Sequence, residues 1–128
     1  MDRKFLFSFI EQQIKDNVGL LQDVPTASNY GRVTKAMAYT TLAKLYINAQ
    51  EWIGEAKWDE TIAACDQVIG FGQLEIEPDY FSNFKVDNTS SKENIFVILY
   101  DKVYTSQNWW HVFRFHQLPL NSLSQQTY

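Results

Sequence analysis

Residues 31–69 constrain the fold more than any other stretch of this chain, because they hold two helix-forming segments with matched small and bulky positions. In the first, Tyr39, Leu42, Ala43 and Tyr46 recur at three- and four-residue spacing, which gathers them on one side of a helix. In the second, Trp58 opens an apolar-periodic run that continues to Ile69 and meets Gly70, a usual C-terminal stop. Neither stripe is stable in water by itself, so the two are expected to close on each other as an antiparallel hairpin.

The offsets match the W-x2-L-G-x2-Y part of a tetratricopeptide (TPR) repeat at Tyr39 to Tyr46, and the A-x3-F part at Thr61 and Cys65. On that grid Ala43 lets the two backbones approach, while Trp58 and Cys65 are expected in the core, the thiol acting as a small hydrophobe. Glu51-Trp52-Ile53-Gly54-Glu55-Ala56 adds length that a repeat of about 34 residues does not hold. A long inter-helix loop follows, with Trp52 exposed on it. The alternative is a generic antiparallel helix pair whose small and aromatic residues happen to fall on this grid.

The flanks extend the pattern. From about residue 5 to 21, Phe7, Ile10, Ile14, Val18 and Leu21 form one apolar stripe, with Glu11, Gln12, Lys15 and Asp16 turned outward. Residues 22–32 are turn-rich, and Gly31 suits a tight turn or cap. A helix over about 33–49 should then bury Ala36, Tyr39, Leu42, Ala43, Tyr46 and Ile47, giving three helices up, down and up. After Gly72 the period is lost: Pro78-Asp79-Tyr80-Phe81 reads as an irregular aromatic connection, and Asp87 to Ser91 as a polar loop. Ile95-Phe96-Val97-Ile98-Leu99-Tyr100 predicts one short strand buried on both faces, with Leu74-Glu75-Ile76 its only pairing candidate. The expected class is therefore mainly α, with a TPR-like helical region over 1–72 and an irregular, aromatic-rich region with a short strand over 73–128.

Composition removes several function classes. A formal charge of −4 over 128 residues, with eleven Lys and Arg scattered along the chain, offers no basic field for nucleic acid. Cys65 is the only cysteine, which forbids an intrachain disulfide and cysteine-rich zinc sites. Met1 to Ile10 is too short in its apolar part for a signal peptide, and no segment reaches transmembrane length.

Gly31-Arg32-Val33-Thr34-Lys35-Ala36, Leu42-Ala43-Lys44-Leu45-Tyr46, Lys57-Trp58-Asp59-Glu60, Ala63-Ala64-Cys65-Asp66-Gln67-Val68-Ile69, Pro78-Asp79-Tyr80-Phe81 and Ser91-Lys92-Glu93-Asn94-Ile95-Phe96 resemble the central part of SusD-like (RagB/SusD) proteins. The resemblance spans roughly residues 9–100 and, more loosely, 109–125. It implies a superhelix of TPR-like helix pairs in a lipid-anchored, glycan-binding protein on the outer surface of the Bacteroidetes outer membrane. The implied partners are an oligosaccharide and a SusC-type TonB-dependent transporter, with the membrane reached only through the parent's lipid anchor. Full members are several times longer, so the chain is expected to be an internal piece of such a protein.

A sugar presents apolar C–H faces and a rim of hydroxyls, so its site needs exposed rings edged by polar side chains. Tyr104, Trp109 and Trp110, with Asp101, Asn108 and Arg114 as partners, supply that mixture in sequence. Either tryptophan could instead pack in a core. Enzymatic readings find little support. His111 and His116 are five apart and diverge on a helix, Glu55, Asp59, Glu60 and Asp66 belong to solvent faces, and no phosphate loop or nucleophile motif occurs. Asp79, Asp87 and Glu93 are oxygen ligands in loops that could hold calcium, although charged loop residues without that role are commoner. No cofactor is expected. The expected function is non-catalytic glycan binding for uptake; the alternative is a TPR-like protein-interaction scaffold.

Overall fold

The computed structural model describes residues 2–85 and 88–99. The chain divides into two units, Met1–Val97 and Ile98–Tyr128. Among the described residues, all helices fall in the first unit: α1 (Arg3–Asn17), α2 (Lys35–Ile47), α3 (Ala49–Ile53) and α4 (Trp58–Gly70), with short 3-10 turns at Val18–Leu20 and Tyr80–Phe84. The protein is mainly α-helical, as its spacing predicts. None of these helices is long and apolar enough to cross a membrane.

Local chemistry sets the helix starts. The Asp2 carboxylate accepts from the Lys4 N–H at 3.3 Å and caps α1. At α2 the buried Thr34 hydroxyl accepts from the Met37 N–H at 3.4 Å. Two more first-turn donors, the N–H groups of Lys35 and Ala36, reach back to the carbonyls of Gln22 and Asp23 at 2.8 and 2.9 Å. The loop supplying those carbonyls is tied by Asn29, buried despite its polarity. Its amide donates to Gln22 Oε1 at 2.7 Å and Val24 O at 3.1 Å, while its Oδ1 accepts from the Thr26 N–H at 2.5 Å. Gly31, at φ 78°, completes this loop in the left-handed conformation its position in the sequence predicts.

The central helix is α2, flanked by α1 and α4 and antiparallel to both. Phe7, early in α1, meets Tyr46, late in α2, with ring centroids 6.4 Å apart. Tyr39, early in α2, meets Phe71, just past α4, also at 6.4 Å. Phe7, Leu42, Leu45, Tyr46, Ala49 and Ala64 form the core, and Ile10, Ile14, Tyr39, Ala43 and Ile53 pack around it. The residues expected to form a long inter-helix loop instead wind into α3, which ends where Gly54 turns left-handed at φ 76°. Trp52 is exposed there, as expected.

Several sequence expectations are corrected. Ile47 is 53% exposed, and Leu45 and Ala38 are buried in its place, because α2 is apolar on most sides and spacing alone does not select its inner face. On α4, Trp58 is 52% exposed and Cys65 is exposed too. This helix carries two apolar stripes one residue apart, and the stripe through Thr61, Ala64 and Val68 is the one that turns inward. Thr61 and Ala64 are small enough to let α4 pack against α2, which the indole of Trp58 would prevent. Glu11 does not point outward: it is half-buried and accepts from Tyr46 Oη at 2.9 Å and Lys15 Nζ at 2.6 Å. Burial works to raise this carboxyl, but the bonds from Lys15 and Tyr46 outweigh it and hold it below the ordinary value. The Tyr46 hydroxyl is raised, by burial first and then by its bond to Glu11.

The strand expected over 95–100 is absent from its described residues, 95–99. A strand needs a ladder. Its proposed partner meets the chain upstream instead, through Glu75 N–H to Lys92 O at 3.3 Å, and Ile98 is 70% exposed.

Candidate functional site

Residues 78–84 place three aromatic side chains in a polar, turn-forming stretch, with no helical stripe to bury them. Asp79 fixes their conformation. Its Oδ1 accepts from the Phe81 N–H at 3.1 Å, its Oδ2 from the Ser82 hydroxyl at 3.2 Å, and its backbone carbonyl from the Ser82 N–H at 3.0 Å. The resulting 3-10 turn holds Tyr80, Phe81 and Phe84 about 70% exposed each. The rings brace one another rather than a core: Tyr80 meets Phe81 edge-on at 5.6 Å and Phe84 at 5.2 Å.

A polar network ties this turn to residues 88–94. Asn83 is its hub: its amide nitrogen donates to Glu93 Oε2 at 2.8 Å, its Oδ1 accepts from Ser91 Oγ at 2.5 Å, and its carbonyl accepts from Asn88 Nδ2 at 2.7 Å. Glu93 Oε2 also accepts from the Glu77 N–H at 3.0 Å, and Glu77 in turn accepts from the Lys92 N–H at 2.9 Å. Tyr30 Oη donates to Asn88 at 3.4 Å, which anchors the network on the loop before α2.

Between this network and α2 lies an open cleft of about 520 Å³, within the range of small-molecule sites. Met37, Thr40, Thr41 and Lys44 of α2 form one wall, and Asn83, Phe84 and residues 93–96 the other. The Thr40 and Thr41 hydroxyls donate to Ala36 O at 2.8 Å and Met37 O at 2.9 Å, which leaves their oxygens as acceptors. Phe96 is 39% exposed. Asn94 also lines the cleft, and its amide nitrogen is buried with no hydrogen-bond partner among the described residues. An orphaned donor of this kind gains from any acceptor a ligand or water brings.

The Glu93 carboxyl is held below the ordinary 4.5, first by the Glu77 N–H and then by Asn83. A depressed folded-state pKa means that the tie contributes fully above the unfolded value and is lost as pH falls through the folded one. The near-UV circular dichroism of the aromatic turn should therefore stay flat from neutral pH down to about 4.5 and change only on further acidification. Glu93→Gln should reduce that acid step, with the Asp79 carboxylate still holding the turn.

Tyr104, Trp109, Trp110, Asp101, Asn108 and Arg114 lie outside the described residues, as do Asp87, His111 and His116. Of the calcium candidates, Asp79 caps the turn and Glu93 binds amides; among the described residues no group of three or more His, Cys, Asp or Glu is placed to hold a metal. Glu55, Asp59, Glu60 and Asp66 are exposed, as expected, and Glu55 and Glu60 flank Lys57 at 4.0 and 3.1 Å. Sequence reasoning passed over Tyr80, Asn83, Phe84 and Phe96 as binding residues. The available signal was ring density in a segment capped by Asp79, where no amphipathic period accounts for aromatics. No family model matches the chain, and no curated protein matches it.

Proposed function

We propose that this chain captures oligosaccharide without catalysis, as part of a SusD-like surface protein that hands glycan to a SusC-type TonB-dependent transporter at the outer membrane. The observation that carries the reading is the cleft beside α2, where the exposed Phe84 and Phe96 rings stand with Asn83, Asn94, Thr41 and Lys44. Rings cover the apolar faces of a sugar, and the amides, hydroxyl and ammonium answer its hydroxyls. Supporting it are the TPR-like hairpin and the resemblance to SusD-like proteins across residues 9–100. The Tyr104, Trp109 and Trp110 platform, with Asp101, Asn108 and Arg114, belongs to the same proposal as a further set of sugar contacts.

Affinity electrophoresis of the full chain through gels containing starch-like, fructan or mannan polysaccharide tests it. At least one polysaccharide should retard the chain. Phe84→Ala and Phe96→Ala should each weaken retardation by about 3- to 10-fold, the worth of one ring contact, and a Trp109→Ala, Trp110→Ala double variant should weaken it too. Unretarded migration in every gel sinks the reading, and release of reducing sugar would replace it with a hydrolase. The second reading, a protein-interaction scaffold, is favoured by the exposed apolar stripe on α4. Capture of the transporter with no retardation by glycan would select it.

A further inference from the structure

Three stretches far apart in sequence surround a cavity of about 140 Å³: residues 24–27 with Tyr30, then Gln73 and Leu74, then residues 89–92 with Asn94. Hydrogen bonds fix them relative to one another. Asn29 ties the first stretch internally, Tyr30 Oη reaches Asn88 at 3.4 Å, and the second and third are joined by Glu75 N–H to Lys92 O at 3.3 Å and Lys92 N–H to Glu77 at 2.9 Å. The cavity therefore exists before any ligand arrives, which lowers the cost of filling it. At 140 Å³ it has room for about five waters and lies below the roughly 300 Å³ at which drug-sized sites begin. Only a ligand the size of one small ring fits.

The lining selects the chemistry of that ring. Its apolar part is buried Val24 with half-buried Pro25 and Leu74. The Gln73 amide and the Ser90 hydroxyl are exposed and have no hydrogen-bond partner among the described residues. Asn94, whose amide nitrogen is orphaned, borders this cavity as well as the cleft. Thr26 Oγ1 donates to Asn29 at 3.0 Å and Tyr30 Oη to Asn88, which leaves both oxygens able to accept. Among the described residues Lys92 is the only cation of the lining, its ammonium already paired with Glu75 at 3.2 Å, and no carboxylate lines the cavity. An anionic ligand would find no free cation there and a cationic one no free anion. Hydroxyl groups, each both donor and acceptor, match the free groups without adding charge.

We infer that this cavity binds one neutral sugar ring, as a ligand site separate from the cleft beside α2. The apolar C–H face of the ring rests on Val24, Pro25 and Leu74, and its hydroxyls exchange hydrogen bonds with Thr26, Gln73, Ser90 and Asn94. Neutral sugars are accepted and their acidic counterparts refused. The assignment comes from the cavity's own residues, of which only Asn94 belongs also to the cleft, so it stands or falls apart from glycan binding there.

Titration of the nitrogen-15-labelled full chain with glucose, mannose and galactose, each beside its own uronate, tests this. At least one neutral sugar should give saturable amide shifts centred on Ala27, Gln73 and Ser90. Its uronate should bind roughly tenfold more weakly, because the added carboxylate meets no free cation. Gln73→Ala and Ser90→Ala each remove a side chain that holds no other part of the chain, so circular dichroism should report an unchanged fold while sugar affinity falls about 3- to 10-fold. Saturable shifts at the cavity together with unretarded migration in every polysaccharide gel would keep this site and remove the one in the cleft. Saturable shifts confined to Thr41, Phe84 and Phe96 would overturn the cavity assignment and leave the cleft reading intact. Absence of saturable shifts with all three sugars, or a uronate that binds as tightly as its neutral sugar, overturns the assignment as well.

Discussion

Phe7→Ala should destabilise the protein by about 3 to 5 kcal/mol, the range for removing a buried aromatic side chain. Phe7 is 3% exposed, and its ring meets Tyr46 where α1 crosses the end of α2. It is the one fully buried residue of α1, the rest of the helix contributing partly buried Ile10 and Ile14. Removing the ring opens a cavity at the joint that carries α1, which a helix of that length does not survive without packing. Phe9→Ala, two positions on and 51% exposed, should change stability by less than about 1 kcal/mol in the monomer. Urea titrations should separate the two by midpoint at similar slope. Equal effects would mean that α1 docks through another face.

Leu42→Ala should cost about 2 to 5 kcal/mol. Leu42 is 3% exposed at the centre of α2, between α1 and α4, so the cavity falls where neither neighbour can collapse independently. Ile47→Ala removes as many side-chain carbons as Leu42→Ala, yet at 53% exposure it should cost less than about 1 kcal/mol. The same denaturation measurement checks this pair. A large loss at Ile47 with a small one at Leu42 would rotate α2 from the register described here.

The helical layer was legible because its residues state the period twice, once in Phe7, Ile10 and Ile14 and again in Tyr39, Leu42 and Tyr46. The turn before α2 was legible through Gly31. The inner face of α4 was not, since Trp58–Ile62–Cys65–Ile69 and Thr61–Ala64–Val68 are both helical stripes, and only packing against α2 chooses between them. The Glu11–Tyr46 bond joins residues 35 apart in sequence, and nothing local marks a glutamate as inward-facing. Apolar content suggested a strand at residues 95–100, but strand formation depends on a partner that the sequence did not supply. The candidate cleft was missed for a related reason: Asn83, Glu93 and Thr41 are ordinary polar residues until α2 and residues 83–96 come together around them.

An oligosaccharide that retards the chain in affinity gels, titrated into nitrogen-15-labelled protein and followed by amide chemical shifts, reports directly on where sugar sits. Saturable shifts centred on Thr41, Lys44, Asn83, Phe84, Asn94 and Phe96, with Phe84→Ala weakening them, are the expected result. Saturable binding that leaves those amides unmoved would contradict the placement of the sugar beside α2.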